Sequence, residues 1–434
     1  MDKLPSYDPK ELQRSHTIPE LKELCRQHGL LVTGTQQVLI KRLSSPQSSD
    51  FRRRQPARKE VLRFPGLGLK PLQEFRSKKL RQLQITKESL LACIKSRPDQ
   101  LGEDGVKALS ILVQWREREK CRQLLEPLDT ASRSGRVHAH LNLNTETGRL
   151  SSRSPNLQQQ PTGMSLPIRQ VFAAPAGHKY IVADYSQLEL RVVAHIAQSK
   201  PMIEILTQGG DIHSSTAYKM FDEVQRAVDG GRVLLDATAT TTTNATNSLP
   251  LVKDVFPELR KKAKVLNFSL LYGKTAYGLT KDWGVDLEEA QLMIDKWFAA
   301  FPEIRDWIRD VEKNARNGVF PLTVMGRMRP LKAAMHKRQR VWEGALRQVV
   351  NSPIQGSAAD IVTLAMLQLN DDPRLHALGF RQILQIHDEI VLEGPEESAE
   401  EALERVLAIM ENPLPFDFCV PLKVDARISQ SWGQ

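Results

Sequence analysis

Cysteine is scarce in this sequence. It occurs four times in 434 residues, at Cys25, Cys93, Cys121 and Cys419, and never as a CxxC pair. That spacing suggests neither a zinc site nor a disulfide framework, and it fits a reducing compartment. Long apolar runs are also missing: none approaches the ~18 residues of a membrane span, so no membrane association is expected. The first 22 residues mix Asp2, Asp8, Glu11 and Glu20 with their basic residues. This makes a poor signal or transit peptide, and it predicts either a chain made without one or a chain that lacks its true start. Internal repeats are absent, and so is any excess of acid. Lys plus Arg number 61 against 51 Asp plus Glu, a net charge of +10 with a pI near 9.4. A basic surface favours polyanions such as nucleic acid or anionic membrane, although a basic soluble enzyme has the same balance. What is present is an ordinary globular mix, 41% hydrophobic and 26% charged, long enough for two or three domains.

Residues 16–45 read as a small helical unit. Ile18-Pro19 opens a helix with Leu21, Leu24 and Cys25 on one face, and His28-Gly29 ends it. Leu30 to Gly34 is extended, and a second helix carries Val38, Leu39 and Leu43. The run IPELKELCRQHGLLVTGTQQVLIKRL resembles the SAP motif, a helix–extended–helix DNA-binding module; the usual motif has a Lys where Gln36 stands. Residues 46–75 are a basic linker, with Arg52, Arg53, Arg54, Arg58 and Lys59 able to hold phosphates loosely. Residues 76–130 are helical. From about Arg136 strands and helices alternate, predicting an α/β or α+β body. Ala237 to Asn247, ATATTTTNATN, cannot form a core and reads as a surface loop.

Two carboxylates stand at strand ends. Tyr180 to Ala183 is an apolar strand that ends on Asp184, and a helix with Leu188, Val192 and Ile196 at helical spacing follows. Ile383 to Ile386 and Ile390 to Leu392 are apolar strands around His387, Asp388 and Glu389, which are too polar for a core and belong at a hairpin tip. Two strand-borne Asp side chains brought together repel unless cations sit between them. Mg²⁺ suits carboxylates plus substrate phosphates. Two such ions about 4 Å apart activate an attacking oxygen and stabilise a leaving one, which is the demand of phosphoryl transfer. Either Asp alone would read as a loop cap. A third element decides. Arg260, Lys264, Phe268 and Tyr272 are each four residues apart, about 400° around a helix, and so form one slowly drifting stripe. It is basic at one end and aromatic at the other, like a nucleoside triphosphate with its phosphates and its base. An amphipathic helix with Phe and Tyr in a core, stopped by Gly273, is the plain alternative.

DYSQLELR, the Arg260-to-Gly273 helix and HDE resemble motifs A, B and C of family A DNA polymerases, in the family's order. TGRLSSRSPNLQQQP (147–161), GGDIHSSTA (209–217) and RQVVNSPIQGSAADI (347–361) are similar to flanking segments. The resemblance covers roughly 76–434, and NTETGRLSSRSPNLQQQP, GRVLLD and LQIHDEIVLEGP look closest to the plant and algal organellar branch.

The resemblance implies an α+β right-hand fold: thumb 76–135, palm 136–209 and 327–434, fingers 210–326. It implies DNA-directed DNA polymerase activity with two Mg²⁺ ions, held by Asp184, Asp388 and the backbone carbonyl of Tyr185, with Glu389 in support. His213, Arg260 and Lys264 would hold the incoming triphosphate, and Lys264 would also give a proton to the leaving pyrophosphate. Phe268 and Tyr272 would pack on the sugar and nascent pair. Gln187 and Glu189 would border the nucleotide, Glu189 as the gate against a ribose 2′-hydroxyl. Arg149, Arg347, Asn351, Gln355 and His387 would touch primer–template DNA. The linker is too short for the family's 3′–5′ exonuclease, so proofreading is expected to be absent. The short thumb implies weak grip and low processivity unless a partner, such as a processivity or single-strand-binding protein, or the basic N-terminal region compensates. A monomer is expected, and the resemblance implies mitochondrion or plastid, in replication or repair. Two rivals share parts of the pattern: a single-subunit RNA polymerase, against which Glu189 argues, and an inactive DNA-binding accessory, against which the complete residue set argues.

Overall fold

The computed structural model describes residues 8–9, 12–13, 16–27, 35–44, 86–96, 98–161, 167–236, 249–336 and 339–433. The extended stretch 30–34, the linker 46–75, residues 76–85 and the Thr-rich stretch 237–247 lie outside them. The chain divides into two units, residues 1–110 and 111–434.

In the first unit, helices Ile18–Gln27 and Gln36–Ser44 share a small core. Thr17 donates its backbone N–H (2.6 Å) and its hydroxyl (2.8 Å) to Glu20, so the first helix starts on a side-chain cap. Leu12, Leu21, Cys25, Leu39, Ile40 and Leu43 form the core, with Leu24 packed against it. Val38 is exposed, contrary to the expected face. The buried stripe instead runs through Leu39, Ile40 and Leu43, the i, i+1, i+4 pattern of one helix side. Helix Lys87–Ser96 follows, and the unit boundary falls within Pro98–Ala131, which is broken at Gly102 where φ is +62°.

The second unit is built on one sheet. Two small hairpins come first: β1 (Ser132–Arg133) with β2 (Arg136–Val137), and β3 (His140–Asn142) with β4 (Ser151–Arg153). The main sheet holds β5 (His178–Tyr185), β6 (Arg381–Ile386), β7 (Glu389–Pro395) and β8 (Val424–Ser429), antiparallel in the order β6-β7-β5-β8. The expected alternation of strands and helices is not found. The described helices between β5 and β6 form one uninterrupted block, which suits an antiparallel sheet, since antiparallel neighbours need no helical crossover.

Side chains alternate across β5 with period two. Ile181 and Ala183 join Ile390 and Leu392 against a core that includes Leu188, Leu270, Ile354 and Val406. Tyr180 and Val182 join Ile386, Val391 and Trp432 on the opposite face. Asp184 continues this second face, and Tyr185 turns back into the first. Both strands of the carboxylate hairpin are longer than their apolar cores. A bulge between Gln382 and Leu384 accompanies an exposed Ile383, which no apolar-run count would anticipate.

Candidate active site

β5 runs one residue past Asp184, and two backbone bonds tie its end down. Tyr185 N–H donates to the Asp388 carbonyl (3.1 Å), and Ser186 N–H donates to the Lys423 carbonyl (2.8 Å). The Tyr185 hydroxyl donates to the Met410 carbonyl (2.6 Å) in the core, so only the backbone of Tyr185 can serve the cleft. Gln187 adopts a left-handed conformation, φ +56°, and caps helix Leu188–Ile196. That sharp entry brings Glu189, in the first helical turn, beside the strand end.

The hairpin between β6 and β7 turns on His387 and Asp388, with His387 at φ +53°. Glu389 does not sit at the tip as expected. It is the first residue of β7, in register with Asp184. Asp425 of β8 lies opposite Asp184 on the other side. Opposed residues in an antiparallel pair share a face, so Asp184 is flanked by two carboxylates.

Asp184 and Asp388 line one cavity of about 320 Å³ with Glu189, His213, Lys264 and Phe268. Loss of surrounding water, then repulsion from Glu389 and Asp425, pushes the Asp184 carboxyl up to about 6. Asp388 is also pushed up to about 6, first by burial, with Glu189 and Asp184 adding repulsion against the pull of Arg149. Hard oxygen donors that repel each other in a cleft are the donor set that Mg²⁺ accepts. Among the described residues no group of three or more His, Cys, Asp or Glu could hold a metal by itself. Two carboxylates completed by phosphate oxygens and water fit Mg²⁺ without a third side chain. Glu389 is held aside: Trp432 Nε1–H donates to it at 2.6 Å, and Arg169 lies 3.7 Å away and over the Trp432 ring.

The stripe lies on helix Pro257–Leu271, and Tyr272 stands just past its end. The structure brings its members to different places. Lys264 and Phe268 line the cavity, and Lys264 forms no ion pair among the described residues. Arg260 is held by Asp211 (2.6 Å), which also caps helix Ile212–Met220 by accepting from His213 N–H (3.1 Å). The Tyr272 hydroxyl donates to Glu189, which also accepts from Arg149 (2.5 Å). His213 is buried and stands 5.9 Å from the Phe268 ring centre. Burial, with Arg260 and Lys264 nearby, holds its imidazole down at about 4 against the opposing pull of Asp211.

The expected DNA set is split. Arg149 reaches Glu189 and stands 3.8 Å from Asp388, and His387 lines the main cavity. Arg347 and Asn351, on helix Gln339–Asp371, line a second depression of about 520 Å³ beside Tyr272, and Gln355 lies near the Tyr272 hydroxyl. Gly273, φ +69°, lets Arg347 pass: a Cβ there would lie 2.7 Å from Arg347 Cγ.

Sequence reasoning missed Arg169, Asp211, Asn267, Asp425 and Trp432. Asp211 carried a signal, an Asp just before a helix start, which is the pattern of an N-cap. The other four depend on contacts between distant segments.

Known proteins resemble this chain. The model of the DNA polymerase family A matches residues 62–232 and 236–434, and that of the SAP domain matches 17–44. DNA polymerase I A, chloroplastic/mitochondrial, of Arabidopsis thaliana is 44% identical over 312 residues, 71% of this chain and 29% of the relative. DNA polymerase I, thermostable, of Thermus aquaticus is 36% identical over 327 residues, 74% of this chain and 36% of the relative. The chain thus spans about a third of the length of these curated relatives. The POL domain of Pol1 from M. smegmatis, solved with DNA primer-template and dNTP, superposes with a TM-score of 0.68 at 26% identity. That match covers 99% of this chain and 67% of the solved one.

Proposed function

The chain belongs to DNA polymerase family A, and from that premise we propose that it extends a DNA primer on a template by nucleotidyl transfer. One observation carries the reading. A single cavity has two mutually repelling carboxylates, Asp184 and Asp388, beside a wall of His213, Lys264 and Phe268. The first pair matches metal-bound phosphates; the wall matches a triphosphate and its sugar.

The roles follow from this geometry. Asp184, Asp388 and the Tyr185 carbonyl hold two Mg²⁺ ions, with Glu389 in support. When bound, Mg²⁺ lowers the cost of forming the attacking primer oxygen and of releasing pyrophosphate. Lys264 and His213 take the phosphates, and Arg260 joins them from one turn earlier. Lys264, unpaired among the described residues, is the proton donor to the departing pyrophosphate. Phe268 and Tyr272 pack on sugar and nascent pair, and Gln187 and Glu189 border the nucleotide. Arg149, Arg347, Asn351, Gln355 and His387 track the primer–template. Residues 76–135 serve as thumb, 136–209 and 327–434 as palm, and 210–326 as fingers. The SAP unit adds a DNA contact, and the organellar relatives support action in a plastid or mitochondrion.

Incubation of the purified chain with primer–template, dNTPs and Mg²⁺ tests the reading. Template-directed extension is expected, and a mismatched primer without dNTPs is expected to stay intact. Binding without extension would favour the accessory reading, and extension with rNTPs alone would favour an RNA polymerase.

Phe268 supports a further expected result. Its ring carries no hydroxyl at the place where Lys264, one turn away, leaves room for a sugar. A dNTP brings its own 3′-hydroxyl as a hydrogen-bond partner for its phosphate; a dideoxynucleotide does not. The parent chain therefore discriminates against terminators, and Phe268→Tyr supplies the missing hydroxyl. Single-turnover dNTP-to-ddNTP efficiency ratios should fall about tenfold or more in the variant, the value of one hydrogen bond to a charged group. Equal ratios in both proteins would remove Phe268 from the sugar.

A further inference from the structure

Four side chains behind the cavity wall, Trp297, Asn267, Thr216 and His213, are linked so that the Asn267 amide can face only one way. Trp297, on helix Leu287–Ala300, is fully buried, and its Nε1–H lies 2.7 Å from Asn267 Oδ1. Indole nitrogen donates and cannot accept, so the Asn267 oxygen must be the atom that faces Trp297. The Asn267 amide nitrogen then faces the other way. It lies 3.1 Å from Thr216 Oγ1 and 3.1 Å from His213 Nδ1. The Thr216 hydroxyl lies 2.7 Å from the Ile212 carbonyl and 3.1 Å from Asn267 Oδ1; with its proton given to either oxygen, Thr216 Oγ1 still accepts from the Asn267 amide. An amide NH₂ has only hydrogens to offer, so His213 Nδ1 must accept. An imidazole whose Nδ1 accepts is neutral and carries its proton on Nε2.

Asn267 is fully buried, so a mispaired amide there would leave polar atoms unsatisfied without water to repair them. The network is therefore strongly biased toward this one arrangement. His213 Nε2 makes no hydrogen bond among the described residues, and the His213 ring lines the cavity. The charged groups near the ring are Asp211, which favours the imidazolium, and Arg260 and Lys264, which oppose it. Burial sides with the two cations and keeps the ring neutral at physiological pH.

We infer that Asn267 is a positioning residue, oriented by Trp297, that locks His213 as a neutral Nε2–H donor aimed at the triphosphate. This deepens the role proposed for His213 and rests on that reading. It gives His213 a task different from that of its neighbours. Lys264 and Arg260 supply charge; His213 supplies a directed hydrogen bond whose strength does not change as pH passes through the usual imidazole range. The sequence pattern hides this, because Asn267 lies beside Phe268 on the buried side of the helix, off the functional stripe.

The variant Asn267→Asp separates this role from mere packing. An Asp at 267 still accepts from Trp297, but its second oxygen faces His213 Nδ1 and requires a proton there. The ring then donates from Nε2 only as an imidazolium. Above its pKa, a neutral ring in this variant turns the Nε2 lone pair toward the phosphates. The dNTP KM of the parent should stay flat from about pH 7 to about pH 8.5, above the range in which Asp184 and Asp388 take up protons. In Asn267→Asp it should be near the parent value at low pH and rise about tenfold across the imidazole titration, with primer–template affinity unchanged. Trp297→Phe removes the donor that orients Asn267 and should raise KM at every pH without this titration. ¹⁵N spectra of histidine-labelled parent protein, with His213 assigned by its loss in His213→Gln, read the tautomer directly, independent of polymerase activity. A protonated Nδ1 in the parent would overturn the lock even if the chain extends primers. A flat, parent-like KM in Asn267→Asp would overturn its link to the triphosphate.

Discussion

Asp184→Ala and Asp388→Ala are each expected to reduce primer extension on the order of a thousandfold or more while leaving primer–template binding nearly intact. In the proposed reading the carboxylates act in the chemical step, holding the charge that phosphoryl transfer needs in its transition state, while other residues grip the duplex. The variants carry their own folding control. Each carboxyl has a folded pKa of about 6, above its ordinary value of 3.8. Between those values the folded state binds more protons than the unfolded one, so stability is full at low pH and falls as pH rises through the window. At neutral pH both charges therefore oppose folding in metal-free protein. Removing either should leave the melting temperature in EDTA unchanged or raised. Lost extension with an unchanged or higher melting temperature assigns the effect to chemistry. Near-parent extension in either variant would mean that the reacting phosphate lies elsewhere. Lost extension with a lowered melting temperature would mean that the carboxylate is structural.

The legible parts of this site were those carried by local periodicity. Asp184 was marked by the apolar strand before it, and Lys264 and Phe268 by four-residue spacing on one helix. The four-residue rule places Lys264 and Phe268 on the cavity and leaves the other two members tied to neighbours. Tyr272 lies beyond Leu271 and bonds Glu189, and Arg260 turns aside to Asp211. What stayed hidden depends on register. Asp425 faces Asp184 only because β8 pairs with β5 in that frame, and a shift of one residue would have put it on the other side of the sheet. Trp432 reaches Glu389 across 43 positions of chain, and Trp297 reaches Asn267 across 30. No local signal in one sequence encodes such contacts. The same holds for the architecture. Helical periodicity identified the helices, but only pairing between distant strands shows that the sheet is antiparallel and that its helices come in a block.

Glu189→Ala is expected to raise the use of ribonucleotides relative to deoxynucleotides by more than about tenfold, or ~1.4 kcal/mol. Glu189 is 6% exposed, yet it lines the cavity that holds Asp184 and Asp388. Arg149 holds one carboxylate oxygen at 2.5 Å, and the Tyr272 hydroxyl holds the other. A carboxylate clamped from two sides cannot swing away to admit an extra hydroxyl without giving up both bonds. In the proposed site, steric exclusion is thus backed by electrostatics: a ribonucleotide would have to displace a buried, paired charge. Alanine removes the bulk and releases both clamps, so dNTP affinity should also weaken. The informative quantity is therefore the ratio of rNTP to dNTP efficiency rather than either alone. Glu189→Gln separates the two contributions, because it keeps the bulk and can still accept from Tyr272 while losing the ion pair with Arg149. Its ratio should stay within about threefold of the parent if volume sets the gate. If Glu189→Gln opens the gate as far as Glu189→Ala does, the ion pair with Arg149 carries the discrimination. If neither variant moves the ratio, the residue that excludes the 2′-hydroxyl is another one on the cavity wall.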